Sequence, residues 1–242
     1  LLALAAIGAG AINALAGGGS ILTFPALIAA GVPPVAANVT NTVALFPGYI
    51  GGILGQARDL KGQSRRVWLL APVALVGGLL GGFLILMSSA KLFQALVPWL
   101  LLGGCALLGI QDRIRGALQR RSGALGIGWA IAPVFLGAIY GGYFGAGLSV
   151  IFLAVLGLTI DDSLTRLNGL KQALSLSANL AAVLVFGGSG LVVWSAAAAM
   201  AGGSLIGGAL GGRLASVVSP FVLRLTVMTI GVGVAVLFFF RY

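Results

Sequence analysis

The sequence predicts an all-α polytopic membrane protein, with about eight hydrophobic segments in two homologous halves, each half beginning with a broken or re-entrant helix. Three observations predict this. Of 242 residues, 60% are hydrophobic and only 7% are charged, against about a quarter in an ordinary soluble domain. The mean hydropathy of +1.13 leaves too little polar surface to face water. The apolar runs have the length of bilayer-crossing helices, about 20 residues, and lack the polar–apolar alternation of barrel strands. Finally, the second half of the chain repeats the order of features of the first.

The segments fall at 1–31, 39–56, 67–87, 92–110, 126–158, 166–186, 191–211 and 221–240. The first contains "AGGGSILTFPAL" (16–27), where three glycines, a serine and a proline interrupt good helix. In a helix interior glycine costs about 1 kcal/mol and proline about 3. The fifth contains "FGAGLSVIFLAV" (144–155), in which Gly145, Gly147, Phe152 and Ala154 fall on Gly17, Gly19, Phe24 and Ala26 at an offset of 128. "VWLLAPVALVGGLLGG" (67–82) aligns on "VWSAAAAMAGGSLIGG" (193–208) at an offset of 126, pairing Trp68 with Trp194. Asn41 falls on Asn168 at an offset of 127. The chain therefore reads as a single transmembrane domain, 1–242, with repeat 1 over 1–110, a basic cytoplasmic linker over 111–125 and repeat 2 over 126–242.

Glycines four apart form small helix faces at Gly48 and Gly52, Gly77 and Gly81, Gly203 and Gly207, and Gly208 and Gly212. Such faces let transmembrane backbones approach closely. They serve contacts within a protomer or between protomers equally well, so a homo-oligomer stays open.

The net charge of +10 does not point to nucleic acid. The cations cluster in "RDLKGQSRR" (58–66) and "QDRIRGALQRR" (111–121), between apolar spans. That is the positive-inside pattern, which places both loops in the cytoplasm and the spans in the lipid bilayer. The loop "GGSG" (187–190) is uncharged where its counterpart at 58–66 is basic. This favours opposite sides, and so inverted repeats, but Arg213 and Arg241 are too few to decide against parallel ones.

Histidine and glutamate are absent, and the only acids are Asp59, Asp112, Asp161 and Asp162. This removes His-based relays, zinc-protease motifs and carboxylate cages. No metal, no cofactor and no enzymatic activity is expected. The lone Cys105 makes an internal disulfide impossible and reads as a small apolar residue. The chain opens on Leu1, as expected of a trimmed start.

Broken helices at membrane depth are tolerated only where they lie in protein or line a cavity. Two of them at corresponding positions of two repeats point to a transporter's binding site. Half-helices beginning at "GGGS" and "GAGLS" would present free N–H groups and the positive ends of their dipoles to an anion. Gly17, Gly18, Gly19, Gly145, Ala146 and Gly147 would let a ligand approach the backbone, and Ser20 and Ser149 would cap a half-helix or donate to the ligand. Lys171 lies inside an apolar run with no acid near it in sequence. An ionisable residue in such a run is a functional-site hypothesis, with snorkelling to the interface as the bland alternative. Asn41, Asn168, Gln172 and Asn179 would supply neutral donors, or interhelical hydrogen bonds instead, with Asn38 and Thr40 in the same polar stretch as Asn41. Arg166 is placed to guard the entrance.

With "AGGGSILTFPALIAAGVPP", "AANVTNTVA" and the second-half "NGLKQALSLSAN", the chain resembles the sulfite exporter TauE/SafE family, the toluene-sulfonate uptake permeases, over nearly its whole length. The resemblance implies a multi-pass carrier of the cell (inner) membrane for sulfite, organosulfonates or another small sulfur-containing anion. Members often carry an acid a few residues before the glycine run. Here that position is Asn13, so carboxylate-based proton coupling is not expected there. The reading that follows is a secondary transporter, an exporter by preference, working by alternating access around a midplane anion site. The alternative is an anion channel or a carrier for another small anion. A membrane enzyme lacks its acid–base residues, and a structural subunit would not need a buried lysine.

Overall fold

The computed structural model describes residues 2–15, 17–120, 123–214 and 220–241, with side chains at all of these except 15, 212–224 and 241. The surroundings of Gly212 and the side chains of Arg213 and Arg241 therefore lie outside what the structure describes, although all three lie in helices. The order is α1 (Leu2–Leu15), α2 (Gly19–Ala29), α3 (Pro34–Gly55), α4 (Ser64–Met87), α5 (Ala90–Arg120), a 3-10 turn (Ile127–Ala130), α6 (Ile131–Tyr143), α7 (Leu148–Thr159), α8 (Leu164–Gly187), α9 (Trp194–Leu214) and α10 (Pro220–Arg241). Among the described residues there is no strand. Helices α4, α5 and α8 are long and apolar enough to cross a bilayer, and α3, α9 and α10 have 22, 21 and 22 residues.

The two interrupted segments break where their glycines predict, and both fold back. At 14 and 11 residues, α1 and α2 are too short to span about 30 Å at 1.5 Å per residue. A methyl group on Gly19 would strike the carbonyl of Ala9, and one on Gly8 would touch Leu22. The pair is thus an antiparallel hairpin. Gly141 against Leu148 and Gly137 against Phe152 make α6 and α7 the same hairpin. The turns need glycine, since Gly17 (φ 78°), Gly18 (φ 109°), Gly145 (φ 79°) and Gly147 (φ 79°) all lie in the left-handed region.

The repeats are inverted. Tyr49 lies beside Asn179, Gly52 abuts Gln172, and Gln56 meets Asn168. So α3 and its counterpart α8 run antiparallel. Each repeat also lends its fourth helix to the other: α9 packs against α1 and α3, and α4 packs against α6 and α8. The glycine faces make these contacts, with Gly203 on Ala3, Gly207 on Ile7, Gly48 on Ser204, Gly77 on Phe135, Gly81 on Ile139 and Gly78 on Ala178. They are spent within the protomer. Helices α5 and α10 pack on each other, α5 also on α7 and α10 also on α2.

One end of the bundle gathers the basic loops. Gln63 Nε2 donates to the carbonyl of Arg166 at 2.9 Å, and Arg166 donates to the carbonyl of Lys61 at 3.0 Å. Arg66 and Arg166 share the Asp162 carboxylate. Trp68 and Trp129, 80% and 72% exposed, sit near this end at the starts of α4 and α6. Trp194 starts α9 at the opposite end. Their placement is that of interfacial anchors.

Three expectations need correction. Residues 111–120, read as part of a linker, continue α5. They are mostly good helix formers, and Leu118 packs on Gly157. Helix α3 starts at Pro34 rather than 39, because a proline at the first position is pre-set for a helix. The pairing of Asn41 with Asn168 also shifts. Asn38 Nδ2 donates to the carbonyl of Tyr143, and Asn168 Nδ2 to that of Ala14, each at the end of the other repeat's first half-helix. Asn38 is therefore the counterpart of Asn168, and Asn41 that of Lys171.

Candidate anion site

The hairpin tips meet in the middle of the bundle. A methyl group on Gly17 would collide with Ser149. Helix α5 lies across both tips, with Leu108 against Gly18, Leu107 against Gly147, and Gly104 against Ile21 and Ala146.

The backbone amides at the first tip are engaged. Asn13 Oδ1 accepts from Gly18 N at 3.2 Å and Gly19 N at 2.8 Å. Gly17 N donates to Ile12 O, and Ile21 N to Gly18 O. At the second tip Leu148 N donates to Gly145 O, and Val150 N and Ile151 N to Gly147 O. The expectation of free amides therefore fails at these positions, and so does capping by Ser20 and Ser149. The N-cap residues are Gly18 and Gly147, whose conformation no serine adopts cheaply. Asn13 supplies the acceptor for α2.

Between the tips and the basic end lies an open cavity of about 490 Å³, lined among others by Ala14, Gln56, Asp59, Arg115, Thr165 and Asn168. Its rim includes the exposed Thr165 and Gln119, and its floor reaches Ala14, where α1 breaks. Asn168 Nδ2 donates to Gln56 Oε1 at 2.7 Å and to Ala14 O at 3.3 Å. One turn further along α8 stands Lys171, 1% exposed, and Arg115 is close enough to act on it electrostatically. Gln172, equally buried, abuts Gly52. A buried cation thus stands one helical turn beyond the wall of this vestibule at Asn168. Arg166 at its mouth does not stand free, because Asp162 and the Lys61 carbonyl hold it.

The other predicted residues lie apart from this vestibule. Asn41 pairs with Thr23, Thr40 Oγ1 accepts from Val193 N at 2.9 Å, and Asn38 holds the Tyr143 carbonyl at 2.8 Å. Asn179 lies beside Tyr49 and donates to the carbonyl of Ser175. On this side aromatic rings replace the cavity. Phe24 packs on Phe93, Phe144 and Phe238, with centroids 5.6–6.5 Å apart, and Phe93 packs on Tyr143. The predicted set is therefore split into Asn168 in the cavity wall with Lys171 and Gln172 buried behind it, the touching tips, and a sealed side at Asn38, Thr40 and Asn41.

Sequence reasoning missed Gln56, Arg115 and the capping role of Asn13. Arg115 was hidden in a basic run that reads as topology signal. Asn13 carried a usable signal, lying five residues before a glycine turn that needs an acceptor.

The chain matches the family model described as Sulfite exporter TauE/SafE over residues 2–238. It is 29% identical to a probable membrane transporter protein of Haemophilus influenzae, covering 84% of this chain and 79% of that protein. It is 25% identical to the probable membrane transporter protein ORF9 of a Sinorhizobium species, covering 97% and 90%. It is also 25% identical to the probable membrane transporter protein YfcA of Escherichia coli K12, covering 85% and 76%. No solved structure matches the chain.

Proposed function

We propose a transport mechanism on one premise: the chain belongs to the sulfite exporter TauE/SafE family. On this reading it is a secondary transporter of the cell (inner) membrane. It moves sulfite or another small sulfur-containing anion, such as an organosulfonate, by alternating access around the two hairpin tips. The observation that carries the reading is Lys171, buried beside a vestibule. A buried ammonium is costly to maintain without a counter-charge, and neither ion pair around Asp162 includes it. An anion entering the vestibule would supply that charge.

The positive-inside rule puts the basic end, and so the vestibule, on the cytoplasmic side. The described state is then open inward and sealed outward by the Phe24–Phe93–Phe144 cluster. An anion leaving the cell would bind at Asn168, Lys171 and Gln172 and exit when the seal opens. Gly17, Gly18, Gly19, Ser20, Gly145, Ala146, Gly147 and Ser149 form the joint on which the hairpins separate. That seal favours a carrier over a continuous channel. The test is counterflow of sulfite in proteoliposomes. Lys171→Met should lower affinity by about 1–3 kcal/mol, the range for a hydrogen bond to a charged group, and unchanged affinity would refute the site.

A further inference from the structure

Beside Lys171 stand buried acceptor atoms that lack a donor. Asn168, Lys171, Gln172 and Ser175 are spaced i, i+3, i+4, i+7 and so share one face of α8. Asn168 Oδ1 and Gln172 Oε1 are both buried and without a hydrogen-bond partner, as is Ser175 Oγ. The Asn168 amide hydrogens already go to Ala14 O and Gln56 Oε1, which fixes its Oδ1 as the atom left over. On α5, one turn deeper than Arg115, Gln111 is 2% exposed and its Oε1 is also unpaired.

Such atoms decide what kind of anion fits. A buried acceptor without a donor costs about 1–3 kcal/mol. A ligand that is all acceptor, a bare sulfonate or a fully deprotonated oxyanion, would satisfy Lys171 but bring its oxygens against these carbonyls. A ligand that also carries an O–H would satisfy both. Resting on the anion-site reading above, we propose that the site selects monoanions bearing their own hydroxyl donor, the protonated oxyanion or a hydroxysulfonate, over donor-free anions of the same charge. The donor goes to Asn168 Oδ1 or Gln172 Oε1, and the anionic oxygens go to Lys171.

The test compares two ligands on the unmodified protein by calorimetry in detergent. They are 2-hydroxyethanesulfonate and propane-1-sulfonate, in which a methyl group replaces the hydroxyl. The hydroxysulfonate should bind at least about tenfold more tightly, since a site built around a ligand hydroxyl discriminates strongly against its apolar analogue. Gln172→Met, which keeps the side chain's length, should narrow that gap by about threefold or more, chiefly by weakening the hydroxysulfonate. Lys171→Met should weaken both ligands alike. Equal affinities in the unmodified protein, with both lost in Lys171→Met, would overturn the donor rule and leave the anion site standing. Binding of neither ligand, or of both undiminished by Lys171→Met, would overturn the anion site and this inference with it.

Discussion

Replacing Asn13 by alanine tests whether the first hairpin depends on a side-chain acceptor. Asn13 is 6% exposed, and its Oδ1 takes the amides of Gly18 and Gly19. Alanine would leave two donors unpaired at membrane depth. Each costs about 1–3 kcal/mol, and loss of a helix cap alone costs about 0.5–2. Allowing for partial rescue by water from the vestibule, the change should destabilise the fold by about 2–4 kcal/mol. In a chain of this size that lowers Tm by roughly 5–15 °C. The assay is built in: Cys105 is the sole cysteine, 3% exposed, and packs beside Gly231 next to Ile21 of α2. A thiol-reactive fluorophore followed on heating in detergent therefore reports opening around this hairpin. Asn13→Asp keeps the acceptor, and its carboxylate faces the positive end of α2, so it should recover most of what alanine loses. If Asn13→Ala labels at the wild-type temperature, the side chain does not hold the turn and the account of the engaged amides fails.

Three further outcomes follow from the polar groups. Burial alone would raise the Asp162 carboxyl, but the hydrogen bonds from Arg66, Arg166 and the Ser163 amide outweigh it and hold it below the usual carboxylate range. The stability it lends is thus present above about pH 4, the unfolded value, and is lost as pH falls further. Asp162→Asn should therefore lower Tm at pH 7 and converge with wild type in the acid limb of a Tm–pH profile. Thr40→Val removes the acceptor for Val193 N without touching the vestibule, so it should lower Tm while leaving anion affinity within about twofold, as checked by calorimetry. With no histidine or glutamate and Asn13 before the glycine run, transport should follow the membrane potential, which is worth about 2.3 kcal/mol per charge per 100 mV. In proteoliposomes a potassium–valinomycin potential should drive sulfite toward the positive side. Flux that instead follows an imposed proton gradient would refute voltage-driven export.

The sequence is legible wherever a residue type is costly in its setting. The glycines at 17–18 and at 145 and 147 announce the hairpin turns because few other residues take left-handed backbone, and Lys171 is conspicuous in an apolar run. Hydropathy gives the spans but not their partners. That α4 and α9 exchange repeats follows from which glycine face meets which backbone, a pattern set by long-range packing. The register within the repeats failed for the same reason. Matching letters paired Asn41 with Asn168, whereas the hydrogen bonds to Tyr143 O and Ala14 O pair Asn38 with Asn168.

That corrected register carries the last step. In the hairpins the N-cap residues Gly18 and Gly147 set the register, so Ala14, on the floor of the vestibule, corresponds to Tyr143, and Phe24 in the aromatic seal corresponds to Leu153 in the vestibule wall rather than to Phe152. Asn41, satisfied by Thr23, corresponds to Lys171. An inverted pair of repeats can exchange conformations to produce the oppositely open state. Here the two ends are not equivalent: bulky rings stand at one end where small or aliphatic residues stand at the other. The seal must part three aromatic contacts to open, while closing the vestibule brings together Ala14, Leu153, Leu164 and polar or charged side chains, with no ring among the described residues that line it. On the proposed transport cycle, parting the aromatic seal is therefore the costlier step, and an anion bound at Lys171 would have to offset it.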